Sequence, residues 1–239
     1  MFSQLSSCLG SAEGSKVVTI DESPADKAGF LLHHFISRWL KNGHKVLIVG
    51  VEQSFGHYHS VGIKLGYNLL KLKEIGQVVF YEGLKKILDL SFAESSHLQE
   101  DEPDLNSLKC LYQEIFSLVT DNTLVVIDQV SILSCMGFTP HSIYAFCHYL
   151  VDMMDNLNAC QLLLRVNRAG DSVQLVKLLQ QLGELNLSVA GLVTGQSRDV
   201  SGVLTMQDRK GGGVNRTFQF RVEDKNVRIF APGTSSAVL

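Results

Sequence analysis

The chain has 239 residues, of which 45% are hydrophobic, and a formal net charge of −3 at pH 7. This content, with a mean hydropathy of +0.12, provides ample material for a large core and excludes an intrinsically disordered chain. The negative net charge excludes a protein coated in basic residues for nucleic acid, although it leaves room for a local basic patch.

Other features of the composition indicate an intracellular protein without a membrane anchor. The five cysteines are widely spaced and form no CxxC pair, which is typical of reduced thiols. The first fifteen residues lack the basic start, apolar core and cleavage pattern of a signal peptide. No run reaches the roughly 18 consecutive apolar residues of a membrane span. We therefore expect no secretion signal and no contact with a membrane.

Strands and helices are predicted to alternate along most of the chain. The strand segments of this alternating part are 16–21, 44–52, 77–83, 123–128 and 161–166. The predicted helices are 28–41, 58–75, 105–119, 140–156 and 171–183, and the acidic run 91–104 reads as a mobile surface loop. Four further strands at 187–194, 202–208, 216–224 and 227–230 follow one another through short turns.

Alternation of this kind predicts right-handed crossovers and a parallel sheet, to which the last strands add antiparallel neighbours. We therefore predict an α/β fold with a RecA-like core: a mostly parallel twisted sheet with helices on both faces and antiparallel C-terminal strands. The prediction is a single domain over 1–239, with 1–15 as an N-terminal arm and 231–239 as a C-terminal tail.

The connection after the first strand stands where an ATPase of this architecture carries its phosphate-binding loop. The sequence there is DESPADKAG, residues 21–29, instead of G-x-x-x-x-G-K-[ST]. Pro24 removes a donor N–H, no Ser or Thr follows Lys27, and three acids outnumber that lysine. Each like charge about 4 Å from a phosphate costs about 4 kcal/mol at an effective dielectric of about 20. We interpret the segment as a strand-to-helix connection capped by Ser23 or Asp26 and expect no ATP hydrolysis.

Two other acids end strands at positions that are catalytic in RecA-like ATPases. Asp128 closes the strand TLVVID, where such enzymes hold Mg²⁺, and Glu52 closes VLIVGVE, where they activate water. Without a seat for the phosphates, we interpret both as strand-end acids. His57 and His59 lack a third metal ligand nearby and are expected to pack at a helix end; of His33 and His34 we expect one in the core and one at an interface. The sequence thus predicts no catalytic, cofactor-binding or metal-binding residue.

Basic residues are concentrated in two places that are candidates for contact with RNA. In RecA-like rings the loops after the later core strands face the central channel, and Arg168 lies in such a loop. The C-terminal hairpins carry the others. The RNA-contact candidates are Arg168, Arg198, Arg209, Lys210 and Arg216, each contributing on the order of 1 kcal/mol at low salt.

Several separated segments resemble the Elongator complex protein 6 family. They are MFSQL, GFLLHHFISRWLK, QSFGHYHSVGIKLG, QVVFYEGLK, VVIDQVSILSCMG, GLVTGQSRDVSG and FAPGTSSAVL, which together run over nearly the whole chain. Members of this family share the RecA-like fold and lack the phosphate-binding loop. One departure is that the segment 91–122 lacks a longer insert expected before the strand VVID.

The resemblance implies a heterohexameric ring with two copies each of Elongator subunits four, five and six, which joins subunits one to three. It further implies that the assembled ring binds tRNA, that the whole complex carries out 5-carboxymethyluridine-type modification of wobble uridines, and that this chain has no catalytic residue, as an accessory subunit and not an enzyme. The expected location is the cytoplasm and the nucleus.

Two alternatives from other classes remain open at this point. One is an active nucleotide hydrolase with a divergent phosphate loop, in which Lys27 would be essential for nucleotide binding. The other is a free-standing RNA-binding module, which would bind tRNA tightly and in a salt-sensitive manner without other subunits.

Overall fold

The computed structural model describes residues 3–24, 28–94, 105–170, 172–192, 197 and 199–232. Its strands are β1 (Val17–Glu22), β2 (Lys45–Val49), β3 (Val78–Tyr81), β4 (Thr123–Ile127), β5 (Gln161–Asn167), β6 (Leu185–Ala190), β7 (Gly202–Asp208), β8 (Val214–Val222) and β9 (Val227–Phe230). Over the described ranges these nine strands form one sheet in the order β3-β2-β4-β5-β1-β6-β7-β8-β9.

The first six strands run parallel and the last three are antiparallel to their neighbours. This arrangement confirms the mostly parallel sheet with antiparallel C-terminal strands that the sequence predicts. Because β2, β4, β5 and β1 run parallel to one another, their carboxyl ends meet along one edge. We call it the carboxyl edge; ligands of open α/β sheets bind at such an edge, where the chain turns to opposite sides.

The helices cover both faces of the sheet, as predicted. They are α1 (Ser3–Leu9), α2 (Gly29–Lys41), α3 (Phe55–Lys64), α4 (Leu69–Glu74), α5 (Gly83–Glu94), α6 (Leu105–Leu118), α7 (Ser131–Cys135), α8 (Pro140–Asp155) and α9 (Ser172–Leu182), with a 3-10 helix at Gly10–Gly14. Helices α1 to α4 pack on one face and α5 to α9 on the other. None of the helices in the described ranges is both long and apolar enough to cross a membrane.

Side-chain alternation along the central strands explains the two cores. In β2, Val46 and Ile48 belong to the cluster under α2, whereas Leu47 and Val49 belong to the cluster under α5 to α9. All four are fully buried. A strand covered on both faces needs apolar residues at consecutive positions, which is why these strands read as unbroken apolar runs.

The structure corrects two details of the predicted elements and adds a third. The helix predicted over 58–75 is two helices, α3 and α4, because Gly66 adopts φ +83° and the side chain of Asn68 caps α4 by accepting from the N–H of Lys71. Helix α5 was not predicted, and it extends over 91–94, the start of the predicted loop; 95–104 lie outside the described residues. The N-terminal arm is packed, since Leu5 and Leu9 are buried beside the sheet.

Candidate functional site at the carboxyl edge

Four charged residues meet at the carboxyl edge, and we call them the edge cluster: Glu22, Glu52, Asp128 and Arg165. Glu22 ends β1, Glu52 and Asp128 follow β2 and β4, and Arg165 lies within β5. The pairing of β1 with β5 sets Ile20 opposite Arg165, so the guanidinium reaches the end of β1. Three acids and one base therefore share one edge of the sheet.

Arg165 holds the edge cluster together. Its Nη2 lies 2.6 Å from Oε1 of Glu22, and its Nη1 lies 2.9 Å from Oε2 of Glu52 and 3.2 Å from the carbonyl oxygen of Asp128. The side chains of Arg165 and Glu22 are only 6% and 3% exposed. Burial lowers the pKa of Arg165, but the hydrogen bond and charge of Glu22, with the charge of Glu52, outweigh it and the net pKa is raised. The guanidinium thus remains charged and ties three strand ends together.

The carboxylate of Glu22 lies at the N-terminus of α2. Its Oε2 accepts from the backbone N–H of Ala28 at 2.6 Å, and its Oε1 also accepts from Nε2 of Gln129 at 3.2 Å. The N-cap residue of α2 is Ala28, which makes no side-chain cap hydrogen bond; Ser23 is therefore not the N-cap residue, and Asp26 lies outside the described residues. Free N–H groups and the helix dipole attract anions to a helix N-terminus. In this chain the anion at the helix N-terminus is the carboxylate of Glu22, which accepts from the backbone N–H of Ala28.

Asp128 clamps the loop that follows β2. Its Oδ1 accepts from the backbone N–H groups of Val51 (2.7 Å) and Glu52 (3.0 Å), and its Oδ2 accepts from that of Gln53 (2.9 Å). Burial raises the pKa of Asp128 above its ordinary value, although these three N–H groups and Arg165 pull it down. Both oxygens are thus engaged by backbone donors. Among the described residues there is no group of three or more His, Cys, Asp and Glu side chains placed to hold a metal ion.

A second ion pair, of a half-buried arginine with a buried aspartate, lies beside the edge cluster. Nε of Arg168 is 2.7 Å from Oδ1 of Asp21, which is fully buried in β1. Oδ2 of Asp21 accepts from Gln180 and from the hydroxyl of Ser188. Nη2 of Arg168 donates to the carbonyl oxygen of Val189 at 3.0 Å. The Arg168 guanidinium therefore joins β1 to β6 within the fold.

The other predicted RNA-contact residues lie elsewhere on the molecule. Arg209 and Lys210 follow β7, whose last residue pairs with the first of β6, so they lie at the opposite edge of the sheet from Arg168. Nη1 of Arg209 donates to carbonyl oxygens at the C-terminus of α9, and Lys210 lies 3.3 Å from Glu184. Arg216 is exposed on β8, and Arg198 lies outside the described residues. The described candidates thus do not form one cluster, and their contact with RNA stays a prediction.

The histidines of the sequence analysis are structural in this fold. His33 and His34 are both buried, so the prediction of one interfacial histidine is wrong. Nδ1 of His33 is hydrogen-bonded to the hydroxyl of Tyr67 at 2.7 Å, and burial, with the charges of His57 and Arg165, lowers its pKa to about 4. The backbone N–H of His57 donates to Oγ of Ser54, the N-cap of α3, so this histidine lies at a helix end as expected.

The sequence analysis missed Arg165 and the role of Glu22. Each is a charged residue within or at the end of a strand that is buried along nearly its whole length. A buried charge is rarely stable unless it pairs with an opposite charge. This signal was present in QLLLRV and VVTIDE. The pairing partner could not be read from it, because β1 and β5 are distant in the chain and adjacent only in the sheet.

Solved structures with similar architecture support the fold assignment. The chain aligns with the flagellar accessory protein FlaH of Methanocaldococcus jannaschii at a TM-score of 0.65 and 14% identity, over 95% of this chain and 94% of that one. It aligns with a KaiC-like protein of Pyrococcus horikoshii OT3 at a TM-score of 0.59 and 10% identity, over 91% and 89%. Both neighbours are RecA-like, so the predicted RecA-like core is confirmed.

Sequence relatives extend over the whole chain. Proteins named Elongator complex protein 6 from Homo sapiens and Xenopus laevis are 33% and 32% identical to it, over 100% of both sequences in each pair. A Drosophila melanogaster protein of the same name is 24% identical over 90% of each sequence. The human and frog alignments run over 267 and 266 residues, so these relatives carry residues that this chain lacks. The position of these missing residues within the segment 91–122 stays a prediction.

The family model described as Elongation complex protein 6 matches residues 2–224. This match covers strands β1 to β8, all nine helices of the described ranges and the whole edge cluster. Together with the full-length relatives it confirms the resemblance noted in the sequence. The chain belongs to the Elongation complex protein 6 family.

Proposed function

We propose that this chain is a non-catalytic subunit of Elongator. In this role it forms a heterohexameric RecA-like ring with subunits four and five, and the ring joins subunits one to three. The assembled ring binds tRNA and supports 5-carboxymethyluridine-type modification of wobble uridines, in the cytoplasm and the nucleus. The names of its relatives and its membership of the family support the assignment to Elongator.

The observation that carries the non-catalytic role is the ion pair between Glu22 and Arg165. In a RecA-like ATPase the N-terminus of the helix after the first strand receives the phosphates. In this chain Oε2 of Glu22 already accepts from Ala28 at that helix terminus, and Arg165 holds the carboxylate in place. A phosphate brought there would compete with this carboxylate for the helix N-terminus and would approach a cluster of three acids and one base, which carries a net negative charge.

The same network supplies what a bound nucleotide would supply to the fold. Strands β1, β2, β4 and β5 end at the edge cluster, and Arg165 with Asp128 joins all four ends by hydrogen bonds. The four strand ends are therefore joined by side chains of the chain itself. A scaffold subunit of a ring needs a fixed shape at all stages of a neighbour's ATP cycle, and this internal network provides it.

An exposed aromatic surface supports a role in assembly. Phe116 of α6 and Tyr149 of α8 are 59% and 61% exposed. Both rings lie 6.1 Å from the ring of Tyr112 between them, and a groove of about 450 Å³ runs between the two helices. Aromatic side chains are enriched at the centres of subunit contacts. We assign this aromatic patch to contact with a neighbouring ring subunit.

Co-expression with subunits four and five tests the proposed role. We expect the three chains to elute together as a hexamer in size-exclusion chromatography with light scattering. A stable monomer that ignores both partners would contradict the role. The paired substitution Phe116→Ser and Tyr149→Ser should lower co-elution, whereas Val173→Ser, which changes an exposed apolar residue of α9, should leave it unchanged.

A further inference from the structure

Positive charge is concentrated in the segment that holds α2 to α4. Residues 28–77 contain six lysines and arginines but only two acids, whereas the whole chain has a net charge of −3. One of the two acids, Glu52, is already paired with Arg165. The face covered by α2, α3 and α4 is thus basic on an otherwise acidic molecule, and the predicted RNA-contact residues do not belong to it.

A groove runs along the C-terminal half of α2 on this face, and we call it the α2 groove. It consists of two hollows of about 250 and 320 Å³ that share Ser37 and Lys41. One hollow lies against the N-terminal segment and the other against α4. The basic residues of its lining are Arg38, Lys41 and Lys71.

The charge of the α2 groove is not neutralised by its own lining. None of the described residues that line it is acidic. Arg38 is 3.3 Å from the buried Glu13, but within the described ranges neither Lys41 nor Lys71 forms an ion pair. Both lysines are exposed. The groove therefore presents two free positive charges, one from α2 and one from α4.

Apolar side chains line the hollow against α4, whereas serines and an asparagine line much of the other hollow. Leu40, Leu65 and Leu72 line the hollow against α4, with the ring of Tyr67, whose hydroxyl is hydrogen-bonded to His33. Single-stranded RNA is bound mainly by exposed aromatic faces on which bases stack, and leucines do not provide them. Leucines flanked by lysines instead match a peptide that carries aliphatic side chains between carboxylates.

We propose that the α2 groove binds an acidic protein segment with aliphatic side chains. The carboxylates of that segment pair with Lys41 and Lys71, and its aliphatic side chains pack against the three leucines. This binding does not depend on whether the chain binds a nucleotide, because the lining of the α2 groove contains no residue of the edge cluster. It is a second contact, additional to the aromatic patch on α6 and α8.

Fluorescence anisotropy with a labelled synthetic peptide tests the proposal on the full chain. The probe is a helix-forming peptide of glutamates with leucine at every third or fourth position. We expect saturable binding that weakens as salt rises, and a loss of at least about tenfold in affinity for the double variant Lys41→Glu, Lys71→Glu. The matched control is Lys177→Glu, Lys225→Glu, which makes the same change in net charge at exposed lysines elsewhere and should bind as the original chain does.

Four comparisons and one folding control make the result decisive. A peptide with lysine in place of glutamate should not bind, and a peptide of glutamate and serine without leucine should bind at least about tenfold more weakly. Circular dichroism must show both double variants folded. Equal affinity of the original chain and the Lys41→Glu, Lys71→Glu variant would overturn the proposal. Binding of a single-stranded RNA oligonucleotide that is stronger than that of the acidic peptide, and lost in this variant, would overturn it in favour of RNA.

Discussion

Replacing Arg165 by methionine tests how strongly the edge cluster stabilises this fold. The substitution keeps much of the side-chain volume but leaves Glu22, 3% exposed, without its countercharge. Among the described residues, Ala28 and Gln129 then remain as the donors to that carboxylate. Removing one partner of a buried ion pair typically costs about 3–5 kcal/mol. For a chain of this size, we expect a fall of about 10 °C in the melting temperature.

A second substitution separates lost pairing from lost packing. In the double variant Glu22→Gln, Arg165→Met the uncompensated charge is gone, while the amide oxygen still accepts from Ala28. We therefore expect the double variant to recover at least about 1.5 kcal/mol relative to Arg165→Met alone. The matched control is Arg228→Met, since Arg228 pairs with Glu223 at 2.8 Å on the surface, where its side chain is 57% exposed. Such a surface pair contributes less than about 1 kcal/mol.

Urea unfolding followed by the fluorescence of Trp39 gives these free energies directly. Trp39 is the single tryptophan of the chain, and its Nε1–H donates to Oε1 of Gln161 at 2.9 Å, so its emission reports loss of the contact between α2 and β5. A free energy of unfolding for Arg165→Met within about 1 kcal/mol of the original chain would refute the reasoning. So would a double variant no more stable than Arg165→Met.

Three other predictions follow from the same geometry. The pKa of His33 is about 4 in the fold and 6.5 ordinarily, so the unfolded chain takes up the proton first as pH falls. The contribution of His33 to the free energy of unfolding should be complete above about pH 6.5, and that free energy should drop by roughly 3 kcal/mol towards pH 4. Melting curves of His33→Gln over this pH range should show a drop that is smaller by that amount. Asp128→Ala should lower the free energy of unfolding by about 3 kcal/mol, because three backbone N–H groups lose their acceptor, whereas Asp128→Asn keeps one oxygen and should lose less; equal losses in urea titrations would contradict this. In the assembled ring, Arg216→Glu should weaken tRNA binding in a filter assay without changing the melting temperature. Arg168→Glu should instead lower the melting temperature, since it sets a second carboxylate beside the buried Asp21. Unchanged tRNA binding by Arg216→Glu would remove that residue from the RNA-contact candidates.

The sequence is sufficient for most of the fold because the central strands are covered on both faces. Unbroken apolar runs such as VLIV and TLVVI leave few alternatives to parallel buried strands, and the predicted strands agree with the structure to within a few residues. The break between α3 and α4 was missed because Lys64 to Leu72 keeps an amphipathic pattern across Gly66. The periodicity of apolar residues does not show that Gly66 adopts a positive φ and ends the first helix, nor that Asn68 caps the next one.

The candidate site was predictable only in part. The composition of residues 21–29 indicates that the phosphate loop is absent, and Asp128 and Glu52 were found as strand-end acids. Their partners could not be found from sequence, because Arg165 meets Glu22 only through the pairing of β1 with β5. The basic residues show the same limit: Arg168 and Arg209 both belong to basic stretches of the sequence, yet the sheet separates them by its full height and each is bonded within the fold.

Isothermal titration of the purified chain with ATP and Mg²⁺ tests most directly whether the carboxylate of Glu22 has taken the place of a phosphate. We expect no saturable heat at concentrations up to about 1 mM, since the helix N-terminus is already occupied by a buried negative charge. Saturable binding with a dissociation constant near 10 µM, abolished by Lys27→Ala, would contradict the account. It would favour the alternative of an active nucleotide hydrolase with a divergent phosphate loop.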